Sequence, residues 1–321
     1  MRRRIGTLTT DVFELVAHAL PALADGEVSV RTCFLSLDPY LARAMKTWVG
    51  EAPGWADGLV HGRMIAEVEA SRSARFAPGD LVTGLGTWSD RQNLDETALT
   101  RVPPELDRPS LVLGVLGRSG LTAWVGVQLA SITAGETFVV SAAAGAVGSV
   151  AGQLAAARGC RVIGMAGGPE KARYMKEELG FHAALDHRLP DLGGRLAAAA
   201  PNGVDVLFEN VGAPSLDAAL PSLKPGGRVM LCGLAAHYND EDPLTLQNFK
   251  ALLYKGLTVR GFITAGHSEL FPSAMAELTA AVRTGALVWR ETITDGLEAA
   301  PAAYLAMLAG QGIGKRLIRL G

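Results

Sequence analysis

Residues 137–148 read Thr137-Phe138-Val139-Val140-Ser141-Ala142-Ala143-Ala144-Gly145-Ala146-Val147-Gly148. A strand-like run leads into a turn of small residues, and Ser149–Arg158 continues as a helical segment interrupted only by Gly152. Aligned with Gly-x-Gly-x-x-Gly, the turn supplies Ala143, Gly145 and Gly148. In that pattern the second glycine lets backbone approach a pyrophosphate, and the third lets the helix sit close to the strand. The helix N-terminus adds free N–H groups and the positive end of its dipole. A tight turn of this composition also occurs in packed α/β proteins that bind nothing there, so its weight comes from its surroundings.

Those surroundings are a series of strand-like runs at Thr137–Ser141, Arg161–Met165, Ala183–Asp186, Val204–Phe208, Arg228–Cys232 and Thr258–Ile263, most of them separated by Ala-rich helical segments. Six strands with helical crossovers predict an α/β fold with a doubly wound, parallel Rossmann sheet that binds a dinucleotide. Upstream, from about Val12 to Leu113, short strands alternate with turns: Val28 and Val30 have polar neighbours, and Pro78-Gly79 precedes an apolar run from Leu81. This part reads as a β-rich, partly open barrel. After a helix near Pro272–Thr284, Glu291–Ile293 and Leu317–Ile318 read as strands again, so the tail is expected to return to the first domain. The expected division is residues 1–113 with 288–321 for a substrate domain and 114–287 for the Rossmann domain, with cofactor and substrate meeting in a cleft.

Composition agrees with a two-domain enzyme acting on a small molecule. The chain has 321 residues, 49% of them hydrophobic, enough for two buried cores. Thirty Lys+Arg against 32 Asp+Glu leave a formal net charge of −2 with no run of like charges, which gives no case for nucleic acid. Met1-Arg2-Arg3-Arg4 resembles the start of a signal peptide, but Asp11 and Glu14 break up the next stretch and no long uncharged apolar segment appears. The expectation is a soluble, cytoplasmic protein with no membrane partner. Three cysteines and six histidines are scattered without metal-ligand spacing, so no metal is expected.

The choice of cofactor turns on the end of the second Rossmann strand. An NAD site places Asp or Glu there for the ribose 2′-hydroxyl. Here the chain reads Gly164-Met165-Ala166-Gly167-Gly168-Pro169-Glu170-Lys171, and Glu170 falls in the first helical turn after Pro169, where it suits the dipole. Lys171 and Arg173 come next, with His187-Arg188 at the tip of the following strand. Together they can surround an extra phosphate, which predicts NADPH; as ordinary solvated helix charges, Lys171 and Arg173 would predict nothing.

Several segments together resemble the zinc-free medium-chain reductases that include prostaglandin reductase (leukotriene hydroxydehydrogenase), plant alkenal double-bond reductases and bacterial NADPH-dependent curcumin reductases. They are Leu35-Ser36-Leu37-Asp38-Pro39-Tyr40, Gly120-Leu121-Thr122-Ala123, Ala142–Gly148, Gly167-Gly168-Pro169-Glu170-Lys171, Glu209-Asn210-Val211-Gly212, Cys232-Gly233-Leu234 with Tyr238-Asn239, and Gly261-Phe262-Ile263. Leu185-Asp186-His187 and Ile293–Glu298 look closest to the curcumin reductase branch. The resemblance implies a GroES-like first domain and a set of roles. Gly145, Ala146, Val147 and Gly148 would hold the pyrophosphate, and Gly168, Lys171 and His187 the 2′-phosphate end. Asn210, Cys232, Gly233 and the loop to Tyr238 would line ribose and nicotinamide, with Phe262, Ile263 and Thr264 flanking the ring. Tyr238 is the candidate hydrogen-bond donor at the substrate carbonyl, and Tyr40 would line the pocket, although a tyrosine after Pro39 also serves simply as a turn residue.

The chain departs from these relatives at Leu41-Ala42-Arg43, where they often have Met-Arg; at Arg118-Ser119; and at Gly312, where they have Asn two residues before Gly314-Lys315. Where zinc-dependent relatives have Gly-His-Glu, this chain has His61-Gly62-Arg63, without a carboxylate or a suitable Cys. The implied reaction is NADPH-dependent reduction of the double bond of α,β-unsaturated ketones and aldehydes. A quinone oxidoreductase of the same superfamily, a reverse-direction alcohol dehydrogenase on hydroxy-lipids, and a catalytically silent NADPH-binding protein stay open as alternatives. Relatives pair their Rossmann sheets, and an edge strand at Val259–Ile263 suggests that this chain forms the same homodimer.

Overall fold

The computed structural model describes residues 6–46, 58–239 and 243–321. The signal-like Met1–Arg4 lies outside them. Thirteen strands are described: β1 Glu27–Ser36, β2 His61–Ser71, β3 Leu81–Thr87, β4 Arg91–Asp95, β5 Leu99–Arg101, β6 Thr137–Ser141, β7 Arg161–Ala166, β8 Ala183–Asp186, β9 Val204–Glu209, β10 Leu223–Leu231, β11 Thr258–Gly261, β12 Glu291–Asp295 and β13 Lys315–Arg319. The described chain divides into two compact units, one from Met1–Gly114, Tyr238–Glu241 and Glu291–Gly321, the other from Val115–His237 and Asp242–Arg290.

The first unit holds a seven-stranded, mainly antiparallel sheet ordered β12-β13-β1-β2-β3-β5, with β4 paired to β1 off that path. The alternation of Val28 and Val30 with polar neighbours is what one buried face requires, and both valines are fully buried with Leu35, Met64, Val68, Val82 and Ile318. Register shifts at Ser29/Val30 and Thr32/Phe34 bend β1, so that it pairs with β2, β4 and β13 along its ten residues. The tail strand β13 pairs with β1, with Phe34 opposite Arg319 and Ser36 opposite Leu317.

The second unit is built on a six-stranded parallel sheet ordered β11-β10-β9-β6-β7-β8. Read from β8, this is the 3-2-1-4-5-6 Rossmann order, and the strand order reverses between β6 and β9. All of β6 is buried, as is nearly all of β7 and β9, which is why those segments are apolar without alternation. Strands β10 and β11 differ most from expectation. Strand β10 begins five residues earlier than Arg228, because Leu223 already pairs with Val204 before the chain bulges through Lys224–Gly227. It stops before Cys232, and β11 stops at Gly261 rather than Ile263. Among the described residues no helix is long and apolar enough to cross a membrane.

Candidate functional site

The turn after β6 has the geometry that a phosphate-binding turn needs. Ala142 takes a left-handed backbone, φ +48°, and its carbonyl accepts from the Gly145 N–H at 2.9 Å, which reverses the chain within three residues. The helix Gly148–Ala157 begins at once, and its N-cap, Val147, supplies no side-chain cap. The first N–H groups of a helix have no intrahelical partner; here the Ser149 N–H donates to the Gly145 carbonyl at 3.0 Å, which leaves the others for a ligand or solvent. Gly148 is required by the packing. A Cβ there would stand 2.5 Å from the Ala142 carbonyl oxygen and 3.0 Å from the Ala143 Cα, so any side chain would push the helix off the strand. Gly145 is freer, with a Cβ position 3.1 Å from the same oxygen.

Beside this turn, at the ends of β9 and β10, one carboxylate organises the backbone. Glu209 is fully buried, and its Oε1 accepts from Ser141 Oγ (2.8 Å), the Val211 N–H (2.6 Å), the Gly212 N–H (2.9 Å) and Ser215 Oγ (2.7 Å). Oε2 is buried without a partner. Burial pushes the Glu209 carboxyl up, and the four hydrogen bonds work against that shift. The Glu209 carbonyl also accepts from the N–H groups of Cys232 (2.8 Å) and Gly233 (3.1 Å), which is what ends β10. Asn210 is locked to Ser141 twice, N–H to Oγ at 2.7 Å and Nδ2 to the carbonyl at 2.8 Å. The loop is closed by Ala235 N–H to the Asn210 carbonyl and by His237 Nε2, which accepts from the Ala213 N–H at 3.1 Å. Asn210, Cys232 and Gly233 are therefore brought together around Glu209. The Cys232 thiol, pushed up to about 12 by burial and then by Glu209, is a neutral group rather than a nucleophile. Sequence reasoning assigned no role to Glu209 or Ser141, and placed His237 only within the loop to Tyr238. The signal available was a carboxylate closing the apolar run Val204–Phe208.

The ends of β7 and β8 bring together Gly167, Gly168, Lys171, His187 and Arg188. The Arg188 Nε and His187 Nε2 lie 2.7 and 2.8 Å from where a Gly167 Cβ would stand. Gly168, at φ +95°, caps the short helix Pro169–Arg173 that carries Lys171. The Asp186 carboxylate accepts from the backbone of Gly168 and from the Arg188 N–H at 2.9 Å, which holds it below its usual range and fixes both residues. Burial holds His187 below the usual imidazole range, and the cations of Arg188 and Lys171 act in the same direction against the opposing pull of Asp186. A group of two cations, an imidazole and glycine backbone fits a phosphate monoester. The site's donors thus suit the pyrophosphate and the 2′-phosphate of NADPH.

The remaining residues are placed less uniformly. The Phe262 ring packs inside the second unit, 6.2 Å from Phe208 and over Gly126, so its side chain is committed to the core. Thr264 is buried with its hydroxyl 2.7 Å from Thr122 Oγ1, whereas Ile263 is 78% exposed. In the first unit Tyr40 is partly exposed at the N-cap of Leu41–Met45. The turn before it is pinned by the tail: Lys315 Nζ reaches Asp38 Oδ1 at 2.5 Å and the Leu37 carbonyl at 3.0 Å, while Tyr304 Oη donates to the Pro39 carbonyl at 3.1 Å. Tyr238 is half-buried against the same core, and its neighbour Asn239 is held by Leu8, whose N–H donates to Oδ1 at 2.7 Å. His61 begins β2 as a half-buried strand residue. Among the described residues no group of three His, Cys, Asp or Glu side chains converges as a metal site would.

The similarity to known proteins extends over nearly the whole chain. Residues 146–280 match a family described as zinc-binding dehydrogenase, and residues 1–102 match an N-terminal domain of oxidoreductases. The NADPH-dependent curcumin reductase of Escherichia coli (strain K12) is 36% identical over 98% of this chain and 94% of that protein. The NADP(+)-dependent 2-alkenal reductase of Nicotiana tabacum is 35% identical over 91% of this chain and 87% of that one. Among solved structures, CurA from Vibrio vulnificus in complex with NADPH superposes with a TM-score of 0.92 at 35% identity, covering 99% of this chain and 97% of that one.

Proposed function

This chain belongs to the medium-chain dehydrogenase/reductase family, among its zinc-independent, NADPH-dependent alkenal and enone reductases, and on that premise we propose how it reduces the double bond of α,β-unsaturated ketones and aldehydes. Bound NADPH supplies hydride to the electron-poor β-carbon. The chain's own part is to hold, orient and polarise. The turn Gly145, Ala146, Val147 and Gly148 takes the pyrophosphate on helix N–H groups, and Gly168, Lys171, His187 and Arg188 take the 2′-phosphate. Asn210, Cys232 and Gly233, held rigid by Glu209, line the ribose and nicotinamide, with the segment Phe262, Ile263 and Thr264 beyond them. Tyr40 lines the substrate pocket. Tyr238 donates a hydrogen bond to the substrate oxygen as enolate charge develops, which stabilises the transition state more than the ground state. Water protonates the α-carbon.

The end-to-end match to double-bond reductases, with a cofactor turn intact at Gly148, is the observation that carries this reading. The test is NADPH oxidation against a panel of enones, enals and quinones. Turnover of quinones alone would support the quinone oxidoreductase reading, and cofactor binding with no turnover the silent one.

The cofactor and partner assignments each carry an expected result. Lys171→Ala should weaken NADPH by roughly ten- to a hundredfold, the value of one charged hydrogen bond of about 1.5–3 kcal/mol, and leave NADH nearly unchanged. Fluorescence titration of both cofactors checks this; equal losses would make Lys171 a structural residue. The protein should also be a homodimer at micromolar concentration. Strand β11 is exposed throughout at the edge of its sheet, and Phe249 (62%), Leu253 (80%), Tyr254 (79%) and Ile263 (78%) are exposed in the same unit. Light scattering should give twice the chain mass, and Val259→Lys should shift it towards the monomer; a monomeric wild type rules the pairing out. We also assign the enzyme to the cytoplasm, consistent with three free cysteines.

A further inference from the structure

The loop from Asp186 to Asp191 joins β8 to the helix Leu192–Ala199 and carries His187 and Arg188. Residues 188–190 are exposed, and Leu189 keeps 54% of its surface in water, so apolar packing does little to hold the loop in shape. Hydrogen bonds must do so instead, against the entropy of ordering an exposed backbone.

The near half of the loop is tied to the strand ends. The His187 N–H donates to the Ala166 carbonyl at 3.1 Å, and the Asp186 carboxylate accepts from the Arg188 N–H at 2.9 Å and from the Gly168 backbone. The far half is held by one side chain of the following helix, Arg195. Its Nη2 donates to the carbonyls of Asp186 at 2.9 Å and Leu189 at 2.7 Å, and its Nε donates to the carbonyl of Pro190 at 2.9 Å. Asp186 and Leu189 stand on either side of the His187-Arg188 pair, so a single nitrogen closes the turn that presents both side chains. The exit from the loop is fixed from the same helical turn: Asp191 has a left-handed backbone, φ +53°, and its carboxylate caps the helix at the Gly194 N–H, 2.9 Å away.

All three acceptors of Arg195 are neutral carbonyls. Its charge is thus spent on no ion pair here, and what the site uses is the shape of the guanidinium, a rigid fork that meets several acceptors at fixed spacing. The loop in turn sets two side chains against the glycine turn after β7, with Arg188 Nε and His187 Nε2 at 2.7 and 2.8 Å from where a Gly167 Cβ would stand.

We propose that Arg195 is a positioning residue for the 2′-phosphate of the cofactor, acting through His187 and Arg188, and that it thereby sets part of the preference for NADPH over NADH. The proposal rests on the reading that Gly168, Lys171, His187 and Arg188 take that phosphate. A loop released from Arg195 still contains both side chains but spreads them over many positions, and a ligand that must order its own donors binds more weakly by the cost of ordering them. NADH carries a hydroxyl in place of the phosphate and gains little from the loop.

The test uses the full-length protein and titrates NADPH and NADH by their fluorescence. Arg195→Met should weaken NADPH about tenfold and leave NADH within about twofold. Arg195→Lys keeps the charge and loses the fork, so it should lie closer to Arg195→Met than to wild type. In a variant that combines His187→Ala with Arg188→Ala, adding Arg195→Met should cost no further NADPH affinity, because the side chains it positions are gone. Equal losses of both cofactors would make Arg195 a structural residue and overturn the proposal. A wild-type NADPH-to-NADH ratio in Arg195→Met overturns it as well, and so does full rescue by Arg195→Lys or a further selective loss in the combined variant. If Arg195→Met does not fold, Arg195→Lys decides alone: a selective NADPH loss supports the proposal and a wild-type ratio overturns it. Failure of the phosphate reading looks different, since Lys171→Ala and the combined His187→Ala, Arg188→Ala variant would then leave the ratio unchanged themselves. Selective losses in those two with none in Arg195→Met would remove Arg195 alone.

Discussion

Tyr238→Phe is expected to slow the chemical step by roughly ten- to a thousandfold, about 1.4–4 kcal/mol of barrier, while NADPH affinity changes little. The substitution removes one hydroxyl and nothing else. The ring is half-buried against the core that includes Leu41, Met64 and Tyr304, and phenylalanine keeps that packing. The segment is anchored independently, because Asn239 exchanges two hydrogen bonds with Leu8, at 2.7 Å from the Leu8 N–H and 3.3 Å to its carbonyl. A slower reaction in this variant therefore reports the hydroxyl rather than a loosened loop. If the phenol also holds the nicotinamide ribose, cofactor affinity falls as well, by a smaller factor. Single-turnover NADPH oxidation with a simple enone at saturating cofactor separates the two effects. An unchanged rate would remove Tyr238 from the chemistry and leave positioning of donor and acceptor as the enzyme's main contribution.

Glu209→Ala should cost about 3–5 kcal/mol of stability, a large part of what a domain has, and should abolish cofactor binding with it. Four donors lose their acceptor. The N–H groups of Val211 and Gly212 have no alternative inside the turn, whereas the hydroxyls of Ser141 and Ser215 can rotate. The loss has a pH dependence with a definite sign. Burial raises the Glu209 carboxyl in the folded state, so the native protein favours the protonated form more than the unfolded chain does. The contribution of this group is then greatest in acid, below the unfolded carboxyl range, and declines as pH rises through the folded value. Wild type and Glu209→Ala should accordingly differ most in acid buffer, below the unfolded carboxyl range, and less in alkaline buffer. Glu209→Gln, which retains an acceptor oxygen, should fall between them and show no such trend. Calorimetric melting across that range is the measurement, and a Glu209→Ala midpoint equal to wild type would dismiss the buried carboxylate as an organiser of the site.

The sequence by itself determined the Rossmann sheet and the cofactor turn, since both obey local rules. Strands β6, β7 and β9 are covered on both faces, so their burial is written as apolar runs, interrupted in β9 by Asp205. Gly148 is legible because the approach it permits is to Ala142, six residues away along the chain. Gly152 was not legible in this way. In sequence it interrupts a helix, and in the fold the ring of Phe181 lies where its side chain would be. The same holds for Glu209, whose meaning depends on Ser141, 68 residues upstream, and on the Cys232 N–H that leaves the ladder to reach its carbonyl. It holds also for Arg316, an ordinary cation on a strand until folding covers its Nε and puts only a carbonyl beside it. Periodicity reports which face of an element is buried, because that depends on near neighbours in the chain. What meets a buried charge is set by segments far apart in sequence, and only the tertiary structure decided that.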